Sequence, residues 1–164
     1  METVRQQSAA ASATLDNRQV VAAVFDECFN KGNVDLLPQY IAVGGHDHQH
    51  PDEADFVKHL SDVIVALRTA FPDLHFEIDQ MIAEGPWVAL HSVMTGTHLG
   101  PLTPPVLPPD GPRMVPPTGK SVRVVHMHMI RNEAGKGAEL FHLMDTFAML
   151  KQLGLLPGPP SRPA

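Results

Sequence analysis

The chain lacks the features of several large protein classes. Among its 164 residues there is one cysteine, Cys28, so no intrachain disulfide can form and a reducing, cytoplasmic setting is expected. No apolar run approaches the roughly 18–20 residues of a membrane-spanning helix. Residues Met1 to Thr14, rich in Ala, Ser and Gln, hold no apolar stretch of the kind a secretion signal needs. Positive charge is scarce: 12 Lys and Arg stand against 18 Asp and Glu, for a formal charge of −6, and no basic cluster exceeds a pair. The electrostatic footprint of a nucleic-acid-binding protein is therefore missing. What is present is a hydrophobic fraction of 43%, enough for a buried core and too high for a disordered chain. The length suits one domain with one core.

Flexible tails are expected over residues 1–15 and, in a proline-rich stretch, over 157–164, leaving one domain over 16–156. Asp16 can cap a first helix, with Gln19 three positions on as in a capping box. Its apolar stripe is Val21, Val24, Phe25 and Cys28; a lone thiol in such a stripe reads as core rather than as a nucleophile. Gly32 stops this helix, and Asn33 is placed to cap a short one over Val34 to Ile41 that Pro38 shortens or kinks. A polar loop, Gly44 to Pro51, follows. A longer helix is expected from about Asp52 to Ala70, with Phe56, Leu60, Val63, Ile64, Leu67 and Phe71 on one face, ended by Pro72.

From there the period changes to two. Leu74, Phe76 and Ile78 alternate with His75, Glu77 and Asp79, the pattern of a half-buried strand. Further strands are expected over Trp87 to Thr97, Ser121 to Ile130 and Gly137 to Met144, then a closing helix over Thr146 to Leu153 stopped by Gly154. The segment Leu99 to Gly119 carries eight of the 16 prolines and is expected to be a stiff, extended excursion. Helices first and strands after make an α+β layout. The expected architecture is a curved antiparallel sheet of about four to six strands wrapped on three N-terminal helices. Curling over them gives the sheet an interior, and the cone encloses an apolar pocket.

Four stretches in this order resemble the SnoaL-like polyketide cyclases of the nuclear-transport-factor-like (cystatin-type cone) superfamily. They are Phe29-Asn30-Lys31-Gly32-Asn33, Ala70-Phe71-Pro72-Asp73, Gly85-Pro86-Trp87-Val88 with Gly96-Thr97-His98-Leu99-Gly100, and Asp145 with Leu150-Lys151-Gln152-Leu153-Gly154; Pro116-Pro117-Thr118-Gly119-Lys120 opens the strand between. The resemblance spans about Asn17 to Pro157. It implies a dimeric or tetrameric cone without a cofactor, whose family chemistry is intramolecular aldol closure of a polyketide ring, often on an ester. It also implies an acid–base Asp nine residues before the glycine of Gln-Leu-Gly, here Asp145, and a pocket histidine on the preceding long strand, here His126 or His128, with His128 fitting the spacing better.

A carboxyl group in an apolar cavity has its pKa raised by desolvation and can then shuttle a proton; Asp145 would do this inside the pocket, or simply cap the last helix. His126 and His128 are two apart and share a strand face, where either can orient a carbonyl or sit hydrogen-bonded in the core. Glu139, Phe141, Leu143 and Asp145 share a stripe, so Glu139 is either a second cavity carboxylate or a rim residue. The cluster His46-Asp47-His48-Gln49-His50 has metal-like spacing but no cysteine and no fixed fourth ligand, so no metal is assigned; His48 or His50 reaches the pocket mouth instead. Trp87, His91 and Thr95 share a face that lines either the cavity or the core, and His98 either contacts substrate or fixes the proline loop.

Three functions remain open at this stage. The first is an acid–base cyclase of a polyketide-like small molecule. The second is an epoxide-hydrolase-like or pyran-forming enzyme, which prefers a carboxylate pair or an Asp-Arg-Asp relay. The third is a binding module that uses the same pocket without turnover.

Overall fold

In the computed structural model, which describes residues 17–107 and 113–156, helix α1 occupies residues 17–30 and widens into a π-helical stretch over Val24–Asn30. The cap expected at Asp16, both expected tails and the tip of the proline-rich segment lie outside the described residues. Val21, Val24, Phe25 and Cys28 are all buried, as their spacing predicts. Gly32 turns the chain with φ +80°. The Arg68 guanidinium donates to the carbonyls of Phe29 (3.0 Å) and Asn30 (2.7 Å), which satisfies groups that the end of α1 leaves open.

Asn33 caps nothing with its side chain, whose amide donates to Glu27; Val34–Leu36 is a 3₁₀ turn that leads into a single helical turn, α2, over Leu37–Tyr40. The chain then enters a strand, β1, over Ile41–Asp47, where a helix end and a loop were expected. Gly44-Gly45-His46-Asp47 has no alternation to betray a strand, and its register is interrupted between Ile41 and His46. Helix α3 spans Phe56–Ala70 rather than starting at Asp52, because the Asp55 carboxylate accepts from the Lys58 N–H at 2.9 Å and sets the first turn. Its face Phe56, Leu60, Ile64, Leu67 with Phe71 beyond is buried.

The remaining strands are β2 (His75–Glu84), β3 (Trp87–Thr97), β4 (Ser121–Glu133) and β5 (Lys136–Met144), closed by helix α4 over Thr146–Leu153. They form one curved, open sheet in the order β1-β5-β4-β3-β2. All neighbours are antiparallel except β1 and β5, which run parallel; the expected wholly antiparallel sheet is therefore mixed. Gly154 ends α4 in the left-handed region, φ 76°. None of the described helices is long and apolar enough to cross a membrane.

Short polar staples hold the cone in shape. The Asn30 side chain donates to the Phe76 carbonyl (3.0 Å) and accepts from the Phe76 N–H (2.7 Å), joining the end of α1 to β2. Asp73 accepts from the Thr97 N–H (2.6 Å) and hydroxyl (2.8 Å). Gln152 of α4 bonds both backbone groups of Arg123 on β4. The proline-rich segment does not simply stand off: Leu102 and Val115 pair across it, and both are buried together with Leu107. Gly100 lies so close to α3 that a Cβ there would collide with the Thr69 carbonyl oxygen.

Candidate active site

Between the inner sheet face and helices α1 and α3 lies a cavity of about 380 Å³. Its walls are chiefly apolar, with Val21, Phe25, Phe29, Leu60, Phe76 and Leu140 prominent, and Pro105, Val106 and Leu107 of the proline-rich segment contribute one side. Phe25, Phe29 and Phe76 pack ring to ring at 5.1–5.6 Å between centroids, a rigid aromatic wall suited to a flat, greasy ligand.

The polar side is built from β1, β4, β5 and the loop after β1. Asp47 closes β1 and is buried, yet lines the cavity. Its Oδ1 accepts from the Gln49 N–H at 2.9 Å, an Asx-type turn. Its Oδ2 lies 3.3 Å from Nε2 of His142 and 3.3 Å from Nε2 of His59 on α3. The His59 contact is poorly aligned and leaves that nitrogen without a full hydrogen bond. Gln49 in turn accepts from the His142 N–H at 2.7 Å, so the loop pins β5 where it carries the imidazole. His142 is the cross-strand partner of His128, and His126 stands two residues before it on the same face. His50 lines the cavity beside His59, with ring centroids 4.6 Å apart.

Burial alone would raise the Asp47 pKa, but the His142, His59 and Gln49 N–H groups more than offset it and hold the carboxyl well below the usual range. Asp47 is therefore ionised at neutral pH. Burial pushes His126 down to about 4 and His128 well below its ordinary value; both are neutral rings. Burial, then the neighbouring His59, lowers His50 as well. The arrangement is one buried carboxylate serving a half-buried imidazole, beside two neutral imidazoles, in a largely apolar chamber.

The sequence profile of the SnoaL-like polyketide cyclases matches residues 19–153. The chain belongs to this family. Solved structures similar to it include TsrD from Streptomyces laurentii (19% identity, TM-score 0.73, covering 87% of this chain and 97% of that one). Another is IdmH from Streptomyces antibioticus (26% identity, TM-score 0.66, 84% and 98%). A third is a SnoaL-like polyketide cyclase from Agrobacterium tumefaciens (19% identity, TM-score 0.66, 84% and 98%). No curated protein matches the sequence.

In this SnoaL-like cone, His126, His128 and His50 line the cavity, and Leu143 reaches its edge from an exposed position. The others lie elsewhere. Asp145 is exposed, outside the cavity wall, and its carboxylate accepts from the Ala148 N–H at 2.8 Å as the N-cap of α4. Glu139, Phe141 and Trp87 belong to the outer sheet face: Glu139 pairs with Arg131 at 2.5 Å and with His48 at 3.1 Å, and His48 stacks on Phe141 at 3.8 Å. His91 faces outward too, 2.9 Å from Asp79. His98 is fully buried and fixes the proline loop, its Nδ1 meeting the Thr118 N–H (3.2 Å) and hydroxyl (3.1 Å).

The physical reason is strand parity. On β5 both stripes are largely apolar, and Phe141 with Leu143 suggests the wrong one as inner; pairing with β4 turns Leu140, His142 and Met144 inward instead, which moves Glu139, Phe141 and Asp145 outside and leaves Leu143 at the exposed edge of the cavity. His142, Asp47, His59 and Gln49 are the residues that sequence reasoning missed. The available signal was the His46–His50 cluster, within which Asp47 was the member to follow. As a cap, Asp145 has a measurable role: Asp145→Ala is expected to cost about 1 kcal/mol, and Asp145→Asn only a few tenths, by urea unfolding.

Proposed function

We propose that the protein is a cyclase of a polyketide-like intermediate, closing a ring by intramolecular aldol addition with acid–base catalysis by its own side chains. The observation that supports this most is the His142–Asp47 pair, 3.3 Å apart and set in an apolar chamber. His142 Nδ1, the nitrogen not facing the carboxylate, takes a proton from the carbon between two carbonyls. The enolate attacks a second carbonyl carbon of the same chain, and the imidazolium returns the proton to the new alkoxide. Asp47 is the positioning residue: it holds the ring and stabilises its cationic form. His126 Nε2 and His128 Nδ1, buried and without protein partners, are the polar groups left for substrate oxygens. The test is turnover of aryl methyl esters bearing a β-keto side chain, by wild type and His142→Asn, with the cyclised product read by liquid chromatography and mass spectrometry.

Epoxide opening finds less support: the described lining has a single carboxylate and no arginine. A non-catalytic binding module would hold the same ligand without converting it, so tight binding with no product would favour that reading. The outer sheet face exposes Met127, Met129 and Leu143, and we propose it as the contact of a homodimer. Light scattering should give twice the chain mass, and Met127→Lys with Met129→Lys should shift it to the monomer; an unchanged dimer would place the contact elsewhere.

A further inference from the structure

We propose that Asp47, His50 and His142 form a binding site for one divalent first-row transition ion, open toward the apolar cavity. A carboxylate oxygen and one nitrogen from each imidazole all lie within 4.8 Å of one another. Two imidazoles and a carboxylate on one side of an ion are a donor set suited to Zn²⁺, Fe²⁺ or Co²⁺, with positions left for water or substrate. Metal–nitrogen bonds of about 2.0–2.1 Å require the donors to close to roughly 3 Å. Rotation of His50, on the loop after β1, and of His142 is the movement this asks for.

The site is built rather than incidental. In the sequence, His46 to His50 is only a loop cluster; the fold adds His142 from β5 and buries Asp47 at its centre. Neighbours outside the donor set hold Asp47 and the backbone of His142. Gln49 holds both Asp47, through its N–H, and the backbone of His142, through Oε1. His59 presents a buried Nε2 3.3 Å from the Asp47 carboxylate, poorly aligned as it stands, so a turn of that carboxylate toward an ion can complete the bond.

This inference does not depend on ring closure. It shares two residues with the proposed acid–base pair, so an ion there would occupy the groups that handle the proton and leave a Lewis acid in their place. Binding can be measured without any substrate, which separates failure of one reading from failure of the other.

The experiment titrates chelator-treated full-length protein with Co²⁺ and Zn²⁺ near neutral pH, by calorimetry and visible absorption. One ion per chain is expected, with a Co²⁺ d–d band characteristic of low coordination number. His50→Ala and His142→Gln should each weaken binding by at least about 10-fold, with circular dichroism to verify folding; His50→Ala carries the test if the β5 variant does not fold. His46→Ala and His48→Ala should bind as wild type does. The proposal is overturned by absence of binding, by a stoichiometry other than one, or by His46→Ala or His48→Ala weakening binding as much as His50→Ala, the mark of adventitious chelation by the loop.

Discussion

His142→Asn is expected to lower kcat for the proposed ring closure by about 10²–10⁴-fold with little change in KM, because it removes the proposed proton acceptor and leaves the apolar walls of the cavity in place. Asparagine keeps a polar group near the Gln49-held backbone, so the fold should survive. Asp47→Asn should fall in the same direction, by about 10²-fold or more: a neutral amide still occupies the space but no longer stabilises the imidazolium. Both variants should be checked by circular dichroism, since Asp47 is buried and faces two imidazoles. Asp145→Asn is the control. It preserves the cap of α4, and from an exposed position it should leave turnover within a few-fold of wild type. Loss of turnover in Asp145→Asn with retention in His142→Asn would transfer the chemistry from the His142–Asp47 pair to the end of β5.

Acidification is expected to destabilise the fold from the ordinary histidine range downward, before Asp47 protonates. His126 has an ordinary value of 6.5, and burial takes it to about 4 in the folded protein. Between these two values the unfolded chain binds a proton that the folded chain refuses, so stability falls as pH falls through that window and is unaffected above it. Fully developed near pH 4, the gap corresponds to about 3 kcal/mol. His128, also lowered by burial, acts in the same direction. Asp47 adds its own loss only at lower pH, below its ordinary value of 3.8, because its folded form is held ionised. Urea midpoints at pH 7 and pH 4.5 measure the effect, and His126→Leu should reduce the slope between them, leaving the part that His128 contributes. A midpoint that stays level over this range in the wild type would mean that the ring is solvated or already protonated in the folded state.

Much of the fold was legible because its signals are local. The apolar stripe Val21, Val24, Phe25 and Cys28, the strand Trp87–Thr97 and the closing helix Thr146–Leu153 all stand where periodicity and terminators place them. The stretches that carry the family resemblance do their work in shape: Asn30 clamps β2, Asp73 holds Thr97, His98 fixes the proline loop and Gln152 ties α4 to β4. They mark the fold strongly and the chemistry weakly. Strand β1 was not legible, since it is short, glycine-interrupted and joined to β5 from a distance in sequence.

By itself, then, the sequence determined the α+β class, the first, the long and the closing helix, four of the strands, the shared face of His126 and His128, and the apolar character of the interior. These follow from spacing along the chain, which local sterics and burial enforce. Only the tertiary structure decided which stripe of β5 turns inward, that Asp145 caps a helix in solvent, and that Asp47, His59, His50 and His142 meet at one wall. Those outcomes hang on cross-strand register and on a parallel pairing between residues nearly a hundred positions apart, where a one-residue slip exchanges the two faces of a strand and nothing in either segment alone records the choice.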